Sequence, residues 1–190
     1  MGAGIAQVAA QNGHAVYLHD QYPDALERAE KQHRKILARL VEKGRLKEGE
    51  DREILQRIAY VTELTELRPA TLFIEAAVEN LEVKTQIFKQ LDELAVPEAI
   101  LATNTSSLSI ASIAGATSRP GQVLGIHFFN PAPLMPLVEI IPSITTSAAS
   151  LRQAREQVDA WGKVTVEAQD TPGFIVNRVA RPFYGEALRI

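Results

Sequence analysis

The sequence contains no cysteine. That excludes a disulfide framework and a thiolate metal site. Its four histidines, His14, His19, His33 and His127, do not fall at zinc-type spacing, so no metal is expected. No apolar run approaches the ~20 residues of a membrane-spanning helix. No basic segment leads into a short apolar run, so no signal peptide is expected. The formal net charge of −3 offers neither nucleic acid nor an anionic membrane a basic footprint. A reducing, cytoplasmic setting is the expectation. Internal repeats and low-complexity tracts are absent too. What is present is a chain of 190 residues, 46% of them hydrophobic, enough for one cored domain or one domain with part of a second.

The apolar periodicity predicts an alternation of helices and strands. Residues 1–13 read as a small-residue helix ending at Gly13, and Ala15–His19 as a short strand stopped by Asp20. Pro23 opens an amphipathic helix to Lys43 with Leu26, Ala29, Ile36, Leu37 and Leu40 on one side, and a polar helix follows at 48–57. Ile58–Thr62, Thr71–Ala76, Ala99–Thr103, Gln122–Phe129, Leu137–Ile141 and Val164–Glu167 are strand candidates. Leu81–Leu94, Ser147–Trp161 and Phe174–Ile190 are helix candidates. Such alternation indicates an α/β fold with a mainly parallel sheet, whose ligands sit at the carboxyl ends of the strands. The residues at those ends, Asp20, 75–80, 104–107 and 127–130, are polar or small, as a cofactor crevice requires.

The segment GIHFFNPAPLMPLVEII, 125–141, carries the chemistry. It sets His127 and Glu139 in two neighbouring apolar runs joined by a proline-rich turn. A carboxylate beside an imidazole fixes its tautomer and stabilises the imidazolium formed on proton uptake, which makes a general acid/base unit. At the N-terminus, Gly2 and Gly4 match the tail of a glycine-rich dinucleotide turn. Asp20, 18 residues after Gly2, lies where a ribose-binding carboxylate is expected. Gly-Ala-Gly by itself reads equally as a packing motif at a helix start.

Five segments together resemble the 3-hydroxyacyl-CoA dehydrogenases: 1–20, 73–92, ATNTSSLSI at 102–110, 125–141, and DTPGFIVNRVARPFYGEALRI at 170–190. The resemblance is collinear, covers essentially the whole chain, and is strongest toward bacterial monofunctional forms of the 3-hydroxybutyryl-CoA or 3-hydroxyadipyl-CoA type. It implies a Rossmann-type doubly wound domain over 1–169 and the first helix of an all-α substrate and dimerisation domain over 170–190. It implies NAD-dependent oxidation of an L-3-hydroxyacyl-CoA, with a homodimer formed through the helical domain. His127 matches the family's catalytic histidine and Glu139 its partner. Ser106 matches a serine between substrate and nicotinamide, and Asn177 an asparagine completing the substrate site. Gly2, Asp20, Glu79, Lys84, Asn104 and Asn130 match cofactor-side positions, and Lys43 falls where a lysine approaches CoA. Simpler roles stand beside these: helix capping for Ser106 and Ser107, turn formation for Asn104 and Asn130, helix-end electrostatics for Glu79 and Lys84, and solvation for Lys43.

Three departures qualify the resemblance. The first strand and first two glycines of the family pattern are not in the sequence, which would leave two strands unpaired, and the helical domain stops at Ile190. The expectation is a piece of a longer protein. Pro136 stands where many acyl-CoA relatives carry lysine, a trait of gulonate-type dehydrogenases, whereas 128–133 favours the CoA branch. A sugar-acid dehydrogenase and a non-catalytic superfamily member are the alternatives.

Overall fold

The structure, a computed structural model, describes residues 1–189. Helix α1 (Gly2–Gln11) leads into β1 (Val16–His19), α2 (Pro23–Glu42), α3 (Glu50–Gln56), β2 (Ile58–Val61), β3 (Leu72–Glu75) and α4 (Leu81–Leu94). Then come β4 (Ile100–Thr103), the short α5 (Ile110–Ala114), β5 (Val123–Phe128), β6 (Leu137–Pro142), α6 (Ala148–Ala160), β7 (Val164–Glu167) and α7 (Val176–Ala187). The expected elements are all found, two of them (Leu81–Leu94 and Val164–Glu167) at the expected residues and the others with ends displaced by at most three. The helix expected to reach Ile190 ends at Ala187; Ile190 itself lies outside the described residues. Helix α5 had no counterpart in the sequence reading, because five residues are too few to display a helical period.

The strands form two sheets. β1 and β2 pair in parallel, and a second sheet runs β3-β4-β5-β6-β7. All its pairings are parallel except β5 with β6, which are joined by a short turn and run antiparallel. Among the described residues, no strand pairing joins β1 to β3. The discontinuity therefore falls between the edges of β1 and β3. Both edges nevertheless border one apolar cluster under α1, which holds Ile5, Val8 and Ala9 with Val16, Leu72 and Ile74. The start of α1 lies over the break: a Cβ at Gly2 would sit 3.8 Å from both Leu18 of β1 and Ala76 after β3.

The larger sheet is covered on both faces, so its central strands are mainly apolar on both sides rather than alternating, Thr103, His127 and Glu139 being the polar exceptions. Leu124, Ile126 and Phe128 of β5 join Val138 and Ile140 of β6 under α1 and α6. Val123 and Ile141 turn the other way, toward α4 and α5. Gly125 shares that second face. A Cβ there would come within 3.0 Å of both Ile110 and Ile141, so glycine is what lets α5 lie against the sheet. Burying these side chains stabilises the fold by roughly 1.5–3 kcal/mol for each large aliphatic.

Candidate active site

His127 and Glu139 are direct cross-strand partners in the β5–β6 ladder. Alternation along β5 turns His127 to the side opposite Ile126 and Phe128. Its Nδ1 lies 2.7 Å from Glu139 Oε2, with the histidine 5% and the glutamate 0% exposed. The other carboxylate oxygen, Oε1, accepts from the Ile175 and Val176 N–H groups at 2.9 Å each, at the first turn of α7. Burial raises the Glu139 pKa. The His127 contact and the two backbone donors outweigh it, so the carboxyl is held below its ordinary value. An ionised carboxylate only accepts. In the neutral imidazole, Nδ1 therefore carries the hydrogen and Nε2 the lone pair. The ring packs against Phe129, centroids 4.6 Å apart, and Phe174, 5.8 Å. Neither aromatic was marked in the sequence as a neighbour of the histidine.

Asn177 reaches this place on α7. The chain turns into that helix through Gly173, at φ +79, where a Cβ would also press on the Arg178 nitrogen at 3.2 Å. Asp170 anchors the same connection by accepting from the N–H groups of Ile110 and Ala111, both 2.8 Å away at the start of α5.

Ser106 approaches from the loop after β4. Capping is not its role, since Ser109 caps α5 and Asn80 caps α4. Glu79 instead gathers this loop. Its Oε1 accepts from Thr105 Oγ1 at 2.5 Å, Ser106 N at 2.8 Å and Ser106 Oγ at 3.0 Å. Burial raises the Glu79 pKa, but these donors and the nearby Lys84 ammonium bring it below the ordinary value. Lys84, expected at a cofactor-side position, is turned inward instead. It is 1% exposed, and its Nζ lies 2.8 and 3.0 Å from the two oxygens of buried Glu75 and 3.6 Å from Glu79. A side chain enclosed in this way has no surface to offer a ligand directly. Asn104 is partly committed as well, its side-chain oxygen accepting from Phe128 N at 2.8 Å.

Glu79, Asn104, Ser106, His127, Asn130 and Asn177 line one cavity of about 290 Å³, together with Met1, Phe128 and Phe129. A larger hollow, about 490 Å³, lies between 142–144 and 167–170. It contains no acid/base pair, and Asp170 there is occupied with α5, so the smaller cavity is the candidate site. Lys43 is exposed at the end of α2, and nothing brings it to this cavity.

A dinucleotide fits the residues present. Asp20 stands at the carboxyl end of β1 with Oδ1 bonded to Tyr22 N at 3.0 Å and no protein donor on Oδ2 among the described residues. The first turn of α1, containing Gly2, has no side-chain cap, and the first N–H groups of a helix find no partner within it, the arrangement that suits a pyrophosphate. The carbonyl of Ala3 in that turn is held by His33 Nε2 at 2.8 Å, and His33 Nδ1 meets Tyr60 OH at 2.7 Å. A carbonyl only accepts, so Nε2 carries the hydrogen and the tyrosine donates to Nδ1.

Comparison with known proteins agrees with this geometry. The family model described as 3-hydroxyacyl-CoA dehydrogenase, NAD binding domain, matches residues 1–171. The 3-hydroxyadipyl-CoA dehydrogenase of Escherichia coli K12 is 48% identical over the whole chain, which spans 40% of that relative. A probable 3-hydroxybutyryl-CoA dehydrogenase of Deinococcus radiodurans is 43% identical, again over the whole chain, which spans 68% of it. The crystal structure of 3-hydroxybutyryl-CoA dehydrogenase from E. coli K12 superposes on the whole chain with a TM-score of 0.97 at 48% identity. The glycine-bearing α1, the strand-end Asp20 and the His127–Glu139 pair thus occur in a chain that belongs to the 3-hydroxyacyl-CoA dehydrogenase family and carries its NAD-binding domain.

Proposed function

We propose that the protein containing this chain oxidises L-3-hydroxyacyl-CoA to 3-oxoacyl-CoA with NAD, and runs the reverse reduction. The observation that carries this reading is the His127–Glu139 pair opening on the same cavity as Ser106 and Asn177. NAD supplies the hydride acceptor when bound. Asp20 would hold its adenosine ribose, and the α1 N-terminus with Gly2 its pyrophosphate. Glu79, Asn104 and Asn130 would face the nicotinamide half. The tautomer fixed by Glu139 leaves Nε2 of His127 free to take the substrate hydroxyl proton and to return it in the reverse direction. Asn177 can donate from its amide to the thioester carbonyl, and Ser106 helps set the reacting carbon. An acidic side chain at Asp20 disfavours a 2′-phosphate, which supports NAD over NADP.

The substrate class rests on the relatives' names and on HFFNPAP at 127–133. The sugar-acid and non-catalytic readings have no counterpart among the relatives described above. We further propose that Lys43 approaches the CoA portion and that α7 begins a helical domain which completes the substrate site and pairs two protomers in the cytoplasm. The exposed apolar side chains of α7, including Val179, Phe183 and Tyr184, support that reading. The test is NADH oxidation with acetoacetyl-CoA by the intact gene product, as wild type and as His127→Gln. Losing the base costs kcat about 10²–10⁴-fold. A loss below tenfold refutes the assigned base, and turnover of gulonate but of no CoA thioester refutes the substrate class.

A further inference from the structure

Five residues at the cavity, Glu75, Glu79, Lys84, Thr103 and Thr105, form a closed polar ring. Thr103 Oγ1 donates to Glu75 Oε2 at 2.7 Å, and Thr105 N donates to Thr103 Oγ1 at 2.9 Å. Thr105 Oγ1 donates to Glu79 Oε1 at 2.5 Å. The ring closes through Lys84 Nζ, 3.6 Å from Glu79 Oε2 and 2.8 Å from Glu75 Oε1. Glu75 is the anchor. It ends β3, is 7% exposed, and accepts from Lys84, Thr103 and the Ala77 N–H. From this ring the bonds that leave for the ligand side converge on Glu79 Oε1, two short ones from Ser106 and a longer one, 3.4 Å, from Ser107 Oγ.

We propose that Glu75 is a positioning residue for the dehydrogenase reaction: through the buried Lys84 ammonium and the Thr103 hydroxyl it holds Glu79 on Ser106. This rests on the function proposed above and adds to it a residue that touches no ligand. The reasoning is electrostatic. Lys84 lies between two carboxylates, close to Glu75 and farther from Glu79. With Glu75 ionised, the ammonium is satisfied where it stands, and Glu79 keeps its oxygen for the 105–106 loop. Remove the Glu75 charge and the enclosed ammonium has one carboxylate left. The pair closes from 3.6 Å toward contact distance, and Glu79 is drawn off Ser106. The arrangement also sets the polarity of Ser106. Its hydroxyl hydrogen is given to Glu79, so toward the cavity the oxygen presents lone pairs. The group it meets there is a donor, such as a ribose hydroxyl or a carboxamide N–H. Donation to the thioester carbonyl is left to Asn177.

The experiment uses the intact gene product with Glu75→Gln, which keeps the shape of the side chain, alone and combined with Ser106→Ala. Readouts are kcat and KM for acetoacetyl-CoA, NADH affinity by fluorescence, and thermal unfolding. Displacing a positioning contact by about an ångström costs up to ~10²-fold, so Glu75→Gln should lower kcat/KM about ten- to a hundredfold. In the Ser106→Ala background that same substitution should lower it less than threefold, because the hydroxyl that Glu75 positions is gone and only the backbone bond to Glu79 remains. Glu75→Asp should recover part of the loss. Equal losses with and without Ser106, or a wild-type rate in Glu75→Gln, overturn the proposal. If Glu75→Gln does not fold, Thr103→Val replaces it, cutting the ring at the adjacent link without stranding a charge. It should show the same dependence on Ser106, and independence from Ser106 overturns the proposal equally. Failure of the functional reading is distinct: the wild type would then oxidise no NADH with any CoA thioester.

Discussion

Replacing Glu139 with glutamine tests the site where it is most constrained. The carboxylate accepts three N–H groups: His127 Nδ1 on Oε2, and Ile175 and Val176 on Oε1. Glutamine has a single acceptor oxygen, so one of two arrangements results. If the oxygen stays on the two backbone donors, the amide NH2 faces Nδ1. The imidazole must then carry its hydrogen on Nε2, where the substrate hydroxyl needs a lone pair. If the oxygen turns to His127, the NH2 meets two N–H groups at the start of α7 and displaces the helix that carries Asn177. The first arrangement is favoured, because one misdirected tautomer is cheaper than two unsatisfied buried donors at about 1–3 kcal/mol each. The expected outcome is a loss in kcat on the order of 10²–10⁴. Binding of NADH should change less than threefold, because none of the cofactor-side residues touches Glu139. Stability should fall by about 1.5–3 kcal/mol for the lost charge-assisted bond. Steady-state NADH oxidation with acetoacetyl-CoA, fluorescence titration with NADH and denaturant unfolding of the intact gene product measure the three quantities. A kcat within fivefold of wild type would show that Glu139 does not set the tautomer, and the reasoning fails.

Three further outcomes follow from the same geometry. Gly125→Ala places a methyl group 3.0 Å from Ile110 and Ile141 and should destabilise by about 1–3 kcal/mol, seen in the urea midpoint; an unchanged midpoint would mean that α5 shifts freely. Burial holds the His33 pKa below 6.5 against the opposing pull of Ala3 and Glu30, so the folded state favours neutral imidazole. Its contribution is complete above pH 6.5 and is lost as pH falls from there through the folded pKa, so His33→Gln should flatten urea midpoints measured between pH 7.5 and 5, and parallel profiles would contradict the assignment. Asp20→Asn should narrow the preference for NADH over NADPH at least tenfold in KM ratio, and an unchanged ratio removes Asp20 from cofactor selection.

The strands and helices were legible because each carries its own period and end signals. Leu81–Leu94 and Val164–Glu167 are found at the expected residues, the first capped by Asn80. The His127–Glu139 pair was legible for a topological reason. Two apolar runs across a tight proline-rich turn must pair antiparallel, and the register then places the two side chains opposite each other. The burial of Lys84 was not legible. A lysine in the first turn of a helix reads as a cofactor-side or helix-end charge, and only the fold brings the Glu75 carboxylate, nine positions earlier, to meet it. The two backbone donors on Glu139 were equally hidden, since they belong to a turn 36 residues away whose position depends on Gly173 and Asp170. Local periodicity identifies elements, whereas a charge buried between elements is visible only once they are packed.

The break between β1 and β3 also has a thermodynamic side. No ladder ties the β1–β2 layer to the larger sheet among the described residues. α1 bridges them, through its apolar face, the His33 bond to Ala3 and the Arg57 bond to Ala10. Amide exchange should therefore divide the domain into two cooperative units, with β1 and β2 opening at lower free energy than β4 and β5. Asp20 belongs to the weaker unit and His127 to the stronger. A dinucleotide held at both ends would act as a clasp across the seam. Protection in β1 and β2 would then rise with cofactor concentration more steeply than in β5, making the slow-exchanging amides a gauge of occupancy that needs no turnover.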